Sequence, residues 1–286
     1  MSLADAAKAW REKGGKTRSL TTINKEISAV SAFFAWLKRN VYVEENVALG
    51  FRSKVDKSKG KYPPYRDVEL VKVFNSSLFA GSGAEKAYTN GRANTRDWRY
   101  WLPLCLLYSG ARTGEIIQLD CSDVRQEHGV WIFDLVESSE NEDKRLKNKA
   151  SRRIVPIHPT LIKCGFLKHV EMMTEAKHTR VFPDVETGPR GDWSYKPSKF
   201  WANYLKRLGM KRKGLCLHSF RHTFTDECRR RGVDEGLTSA LLGHANHSQT
   251  GHYGSIPVGP LMQRKEAIAR LSFGDLAVNA RLSSKP

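Results

Sequence analysis

Long apolar runs are missing from this 286-residue chain. No stretch approaches the roughly 18 apolar residues that a membrane-spanning helix needs. The opening Met1-Ser2-Leu3-Ala4-Asp5 carries neither the basic lead nor the apolar core of a secretory signal. Both absences predict a cytoplasmic protein with no membrane partner. Cysteine is also scarce. Cys105, Cys121, Cys164, Cys216 and Cys228 form neither a close-spaced metal pair nor an even disulfide set, which fits reduced thiols in a reducing compartment. Acidic residues fall short of basic ones, 30 against 48, for a net charge of +18. That excess goes beyond what solubility asks for and implies a polyanionic partner. Charge alone does not separate DNA from RNA or from an anionic membrane.

Forty per cent hydrophobic and 27% charged residues exclude a disordered chain, and the length allows one large or two modest domains. Ala4 to Lys13 reads as a helix ended by Gly14-Gly15. Ile23, Ile27, Val30, Phe33, Phe34 and Leu37 recur at helical spacing, with Thr21 or Thr22 as cap, and a second short helix is expected near Glu44 to Leu49. Lys54, Lys57, Lys59, Gly60 and Lys61, followed by Pro63-Pro64, mark a basic linker. The division is therefore 1–55, a linker at 56–64, a main domain at 65–272 and a tail at 273–286. Helices are expected at Asp67 to Phe74, Asp97 to Ser109, Thr113 to Leu119, Pro159 to Glu175, Tyr195 to Leu208, Ser219 to Arg231, Glu235 to Leu242 and Pro260 to Leu271. Strands are expected at Trp131 to Val136 and Arg152 to Ile157, with room for another near Lys144 to Lys147. The fold class is mainly α with a small antiparallel β-sheet.

Five residues stand out by context: Arg112 in Ser-Gly-Ala-Arg-Thr-Gly-Glu, His218 and Arg221 in His-Ser-Phe-Arg-His-Thr-Phe, His244 closing Leu-Leu-Gly-His, and Tyr253 nine residues later. Arginine offers planar paired donors that match phosphate oxygens and stays charged at any working pH. Gly110 and Gly114 flank Arg112 where the chain turns into a helix. His218 and Arg221, three apart, share a helical face. His218 and His222 sit four apart, as in some zinc sites, but no glutamate adjoins His218, Arg221 repels a cation and no third ligand is evident. Metal and cofactors are therefore left out of the reading, and His222 is read as a packed structural residue. Taken singly, Arg112 reads as a capping or surface arginine, His244 as a helix-end histidine and Tyr253 as a surface residue. Each acquires a chemical role only if all meet one phosphate.

In this order and spacing the five resemble the active site of the tyrosine recombinases, the phage integrase family of site-specific DNA recombinases. The resemblance covers about Tyr62 to Leu271 and is weaker over the first 50 or so residues. It implies a tyrosine-recombinase catalytic fold preceded by a small helical DNA-binding domain. That domain is usually longer than 55 residues, so a complete short domain and one without its first helices both fit. The linker then lies along the DNA backbone or is a solvated tether. The resemblance also implies roles: Tyr253 as nucleophile, Arg112 and Arg221 as the phosphate clamp, His218 as base or donor near the attacking oxygen, His244 as donor to a phosphate oxygen, and Glu115 as support for Arg112. A phenol with a pKa of about 10 needs nearby cations or a base to attack. The general acid is a hairpin lysine ahead of Val155-Pro156, Lys147 by position with Lys149 as the alternative. The implied partners are double-stranded DNA, three further copies in a homotetramer on paired sites, and accessory DNA-bending proteins. Phage, genomic island and transposon remain open as the mobile element served. Lys206, Arg207, Lys211, Arg212, Lys213 and Arg229 to Arg231 are expected to touch phosphates. The residues beyond Tyr253, with Leu261, Ile268 and Leu271, pack on a neighbouring protomer or fold back on their own domain. A type IB topoisomerase-like enzyme and a degenerate integrase that only binds DNA are the competing readings.

Overall fold

Ser19 keeps an extended backbone and its Oγ accepts the Thr22 N–H at 3.2 Å, which starts the longest helix among the described residues. The computed structural model describes residues 3–14, 18–55, 62–80, 97–135, 153–210, 212–243, 257–274 and 276. The chain divides into two compact units, 1–60 and 61–286.

The smaller unit holds α1 (Leu3–Glu12) and α2 (Leu20–Arg39). Ser19 caps α2 in place of Thr21 or Thr22, which already lie in its first turn. The helix expected near Glu44 to Leu49 is instead a run of turns. Asn46 explains the difference: its Nδ2 donates to Ser31 O at 2.9 Å and its Oδ1 accepts the Ala48 N–H at 3.1 Å, so local side-chain bonds satisfy the backbone without a helix. No residue of α2 is buried; Phe33 and Trp36 stack on each other and stay about half exposed.

The larger unit runs through α3 (Asp67–Phe74), α4 (Ser77–Ala80), α5 (Trp98–Ser109), α6 (Thr113–Ile117), β1 (Val124–Glu127), β2 (Val130–Leu135), β3 (Arg153–Pro156), α7 (Pro159–Lys163), α8 (Phe166–Glu175), α9 (Tyr195–Arg207), α10 (His218–Arg230), α11 (Glu235–Leu242) and α12 (Val258–Ala269). Its axis is α5, in which every residue but Arg99 is buried. A helix apolar on all sides belongs at the centre of a domain, and α10 packs along it.

The sheet has the order β1-β2-β3, antiparallel throughout, with Val124 opposite Phe133 and Leu135 opposite Arg153. Alternation along β2 and β3 decides what each face covers. Phe133, Leu135 and Val155 face the main core, whereas Val130, Ile132 and Ile154 form a second cluster with Leu261 of α12. Burial on both faces explains why β2 and β3 read as near-continuous apolar runs. The polar Val124-Arg125-Gln126-Glu127 was not expected as a strand. It pairs as the edge, Arg125 bonding Glu127 and Asp134 at 2.7 Å each, and joins β2 through His128 and Gly129, both at positive φ. The strand expected near Lys144 to Lys147 lies outside the described residues. The single helix expected from Pro159 to Glu175 is two, broken at Gly165, whose φ is +91°.

Beyond Tyr253, the described residues 257–274 and 276 fold back on their own domain. Leu261, Ile268 and Leu271 are buried, Arg264 Nη1 donates to Ile154 O at 2.8 Å, and Phe273 and Leu276 also enter the core, past the boundary expected at 272.

Candidate active site

Helix α5 ends at Gly110, which takes a left-handed φ of 65° and bonds back to Leu106 O. Two residues later Arg112 holds an extended backbone as the N-cap of α6. The carboxylate three residues on fixes it twice: Arg112 N–H donates to Glu115 Oε2 at 2.7 Å, and Arg112 Nη1 donates to Glu115 Oε1 at 2.7 Å. The Glu115 side chain is 4% exposed and that of Arg112 30%, so the acid is sealed while the guanidinium still reaches outward. Burial raises the Glu115 pKa, but hydrogen bonds and charge from Arg153 and then Arg112 outweigh it and hold the group at about 2.

Arg221 comes from α10, across the α5 contact. Its Nη1 donates to Gly110 O at 2.8 Å and its Nη2 to Leu242 O at 2.6 Å. One planar fork thus ties the C-terminal carbonyls of α5 and α11 together, and a cation belongs at both helix ends. Burial, then the charges of Arg112 and Arg153, push the Arg221 pKa down to about 9, against the raising effect of Glu115. His218 opens the same helix. Its ring meets the edge of Tyr62 at 5.3 Å and of His222 at 5.2 Å between centroids. His222 is half-buried and its pKa is lowered, first by burial.

The sequence reading missed two members of this cluster. Arg153, the first residue of β3, donates from Nη2 to Glu115 Oε2 at 2.7 Å and from Nε to Leu241 O at 2.6 Å. A charge opening a strand that is buried on both faces was the available signal. Tyr62, inside the expected linker, had no sequence signal beyond its aromatic character.

Arg112, Glu115, His218 and Arg221 are therefore brought together in one region. Lys147, Lys149, His244 and Tyr253 lie outside the described residues. Their attachment points are defined. Residues 136–152 connect β2 to its antiparallel neighbour β3. Residues 244–256 leave from Gly243, next to the Leu242 carbonyl that Arg221 holds, and return at α12, anchored on β3. Among the described residues no group of His, Cys, Asp and Glu has metal-binding geometry, all five cysteines are free, and no helix is long and apolar enough to cross a membrane.

Several basic residues expected on phosphates are engaged internally. Arg212 bonds Glu69 at 2.6 Å and also donates to Pro64 O, fastening the start of the larger unit to α3. Arg229, Arg230 and Arg231 pair with Asp226, Asp67 and Glu227, which cancels much of that run's charge. Lys211 lies outside the described residues.

In fold the chain is similar to the Tn1549 transposon integrase in complex with transposon right-end DNA, with a TM-score of 0.56 at 16% identity over 97% of this chain and 82% of that one. The phage integrase family model matches residues 84–256, more than half of the sequence, and the chain belongs to that family, the tyrosine site-specific recombinases. A tyrosine recombinase of Thermosipho africanus is 24% identical over 84% of this chain and 73% of its own length. The tyrosine recombinase XerA of Pyrococcus horikoshii is 27% identical over 58% of this chain and 53% of its own, so this chain spans about half of that relative.

Proposed function

We propose that the chain cuts and rejoins double-stranded DNA at specific sites with Tyr253 as the nucleophile. One observation carries this reading: Arg112 and Arg153 both bind one carboxylate, Glu115, and Arg221 lies close enough to feel all three charges, its pKa lowered first by burial and then by the two arginines. An excess of fixed cation in a partly desolvated site is complementary to an added anion. A phosphodiester carries one negative charge and its pentavalent transition state two, so such a cluster stabilises the transition state more than the substrate.

In this reading the Tyr253 phenol oxygen attacks phosphorus and its proton passes to His218. Arg112, Arg221 and His244 donate to the non-bridging oxygens. The bond from phosphorus to the 5′ oxygen breaks, its electron pair leaves on that oxygen, and Lys147 or Lys149 supplies the proton. The products are a 3′-phosphotyrosyl link and a free 5′-hydroxyl. A 5′-hydroxyl from a second strand reverses the step and releases Tyr253, which conserves the bond energy and calls for no nucleotide cofactor. Each cleaved strand occupies one tyrosine, so exchanging four strands between two duplexes requires four protomers, a homotetramer on paired sites. Accessory DNA-bending proteins, a mobile element as the substrate and a cytoplasmic location belong to the same reading. The 1–60 unit is assigned to DNA contact.

The test is a nicked suicide substrate carrying the end sequence of the element that holds the gene, run on a denaturing gel. Wild type is expected to give a covalent protein-DNA band that Tyr253→Phe abolishes. A band that persists in Tyr253→Phe, or supercoil relaxation without strand exchange between two sites, overturns it.

A further inference from the structure

Arg153 is almost wholly buried, yet its three donor nitrogens are spent on two different parts of the site. Its side chain is 2% exposed. Nη1 and Nη2 reach the two oxygens of Glu115 at 3.1 and 2.7 Å, the same carboxylate that binds the backbone and guanidinium of Arg112. Nε reaches Leu241 O at 2.6 Å, in the last turn of α11. The fit continues one step further. Gly243, the left-handed residue after α11 with φ +66°, leaves open the space where a Cβ would lie 2.8 Å from Arg153 Nη1, so the guanidinium packs against the bare backbone there. Arg153 opens β3, and β3 closes the hairpin connection that carries Lys147 and Lys149. One buried group therefore joins three strands of the chain: the one that presents Arg112, the one that leaves toward His244, and the one that returns from the hairpin lysines.

We propose that Arg153 is a positioning residue for strand cleavage, fixing Arg112 through Glu115 while holding the α11 exit from which His244 departs. The inference rests on the recombinase reading. A buried carboxylate shared by two guanidinium groups has its orientation set by both. Without Arg153, Glu115 has only Arg112 to satisfy it, and the guanidinium needed by phosphate is drawn onto the acid. The α11 carbonyl also loses its donor. Glu115 is faced by Arg112 beside it, by Arg153 from β3 and by the charge of Arg221 from α10, so removing one of these cations weakens the hold on its ionised form.

The experiment compares wild type, Arg153→Lys, Arg153→Met, Arg153→Met with Glu115→Gln, and Tyr253→Phe in the full chain. The first readouts are the rate of covalent complex formation on saturating nicked DNA across pH, and DNA affinity by fluorescence anisotropy. Arg153→Lys keeps the charge but cannot span Glu115 and Leu241 O together; its cleavage is expected to fall tenfold or more with DNA affinity within about twofold of wild type. Arg153→Met is expected to add an acidic limb to the pH-rate profile that the Glu115→Gln double variant removes, a change that loss of packing alone does not produce. If Arg153→Met does not fold, Arg153→Lys decides. Wild-type rate and pH profile in Arg153→Lys overturn the proposal. Failure of the recombinase reading shows separately, as absence of a Tyr253-dependent band in wild type. In that event inorganic phosphate binding by the DNA-free protein, followed by calorimetry, decides whether Arg153 positions Arg112: weaker binding in Arg153→Lys supports it and equal binding overturns it.

Discussion

A Cβ placed on Gly110 would lie 2.5 Å from Cδ1 of Phe224 and 2.9 Å from Cδ2 of Leu242. Helices α5, α10 and α11 therefore converge on this residue, and its carbonyl accepts from Arg221. Gly110→Ala combines a left-handed alanine with a clash against two core side chains. It is expected to lose about 3 kcal/mol of stability in urea unfolding and to abolish covalent complex formation before folding fails. Wild-type stability in Gly110→Ala would show that Phe224 and Leu242 yield freely.

Glu115 titrates in the folded protein at about 2, below its ordinary value of 4.5. A depressed carboxyl pKa contributes stability above its unfolded value, and that contribution is lost as pH falls from about 4.5 through about 2. The shift corresponds to about 3 kcal/mol. Glu115→Gln also leaves Arg153 buried without its counter-charge, so at pH 7 the variant is expected to be less stable by about 3 to 5 kcal/mol. The gap between wild type and variant should narrow as pH approaches 2 in urea midpoints. A gap that stays constant with pH would mean the carboxylate is not ion-paired.

His158 follows β3, and its ring bridges two elements. Its Nδ1 accepts the Thr160 N–H at 3.0 Å, so Nε2 carries the hydrogen that is donated to Leu271 O at 3.0 Å, just after α12. Burial is the main cause that pushes its pKa down to about 4. The unfolded chain binds this proton first as pH falls, so stability is full above about 6.5 and is lost by about 3 kcal/mol as pH drops to about 4. An NMR titration of the His158 ring is the check. A midpoint near 6.5 would exclude the contribution.

How far the sequence carried the reading depends on whether a signal was local. The bounds of α3 and α11 coincide with those expected, because each helix is short and its start and stop lie within about two turns. Edge strand β1 was not legible because three of its four residues are polar and it becomes a strand only by pairing with β2. The turn at Asn46 was missed because one side chain competes with a helix for backbone bonds. Arg112, Glu115, His218 and Arg221 were legible from motif and spacing. Arg153 was not, since nothing near it in sequence mentions Glu115, 38 residues earlier.

By itself the sequence determined the family, the largely helical class and the basic character, because helix periodicity, charge and short motifs are written within a few residues of one another. Only the tertiary structure decided that Arg212 is held by Glu69 and the Pro64 carbonyl, that α12 packs on its own sheet, and that Arg153 seals the carboxylate behind Arg112. Those outcomes depend on which distant groups share a desolvated space. The strength of a charge there is set by its neighbours across the fold and not by those along the chain.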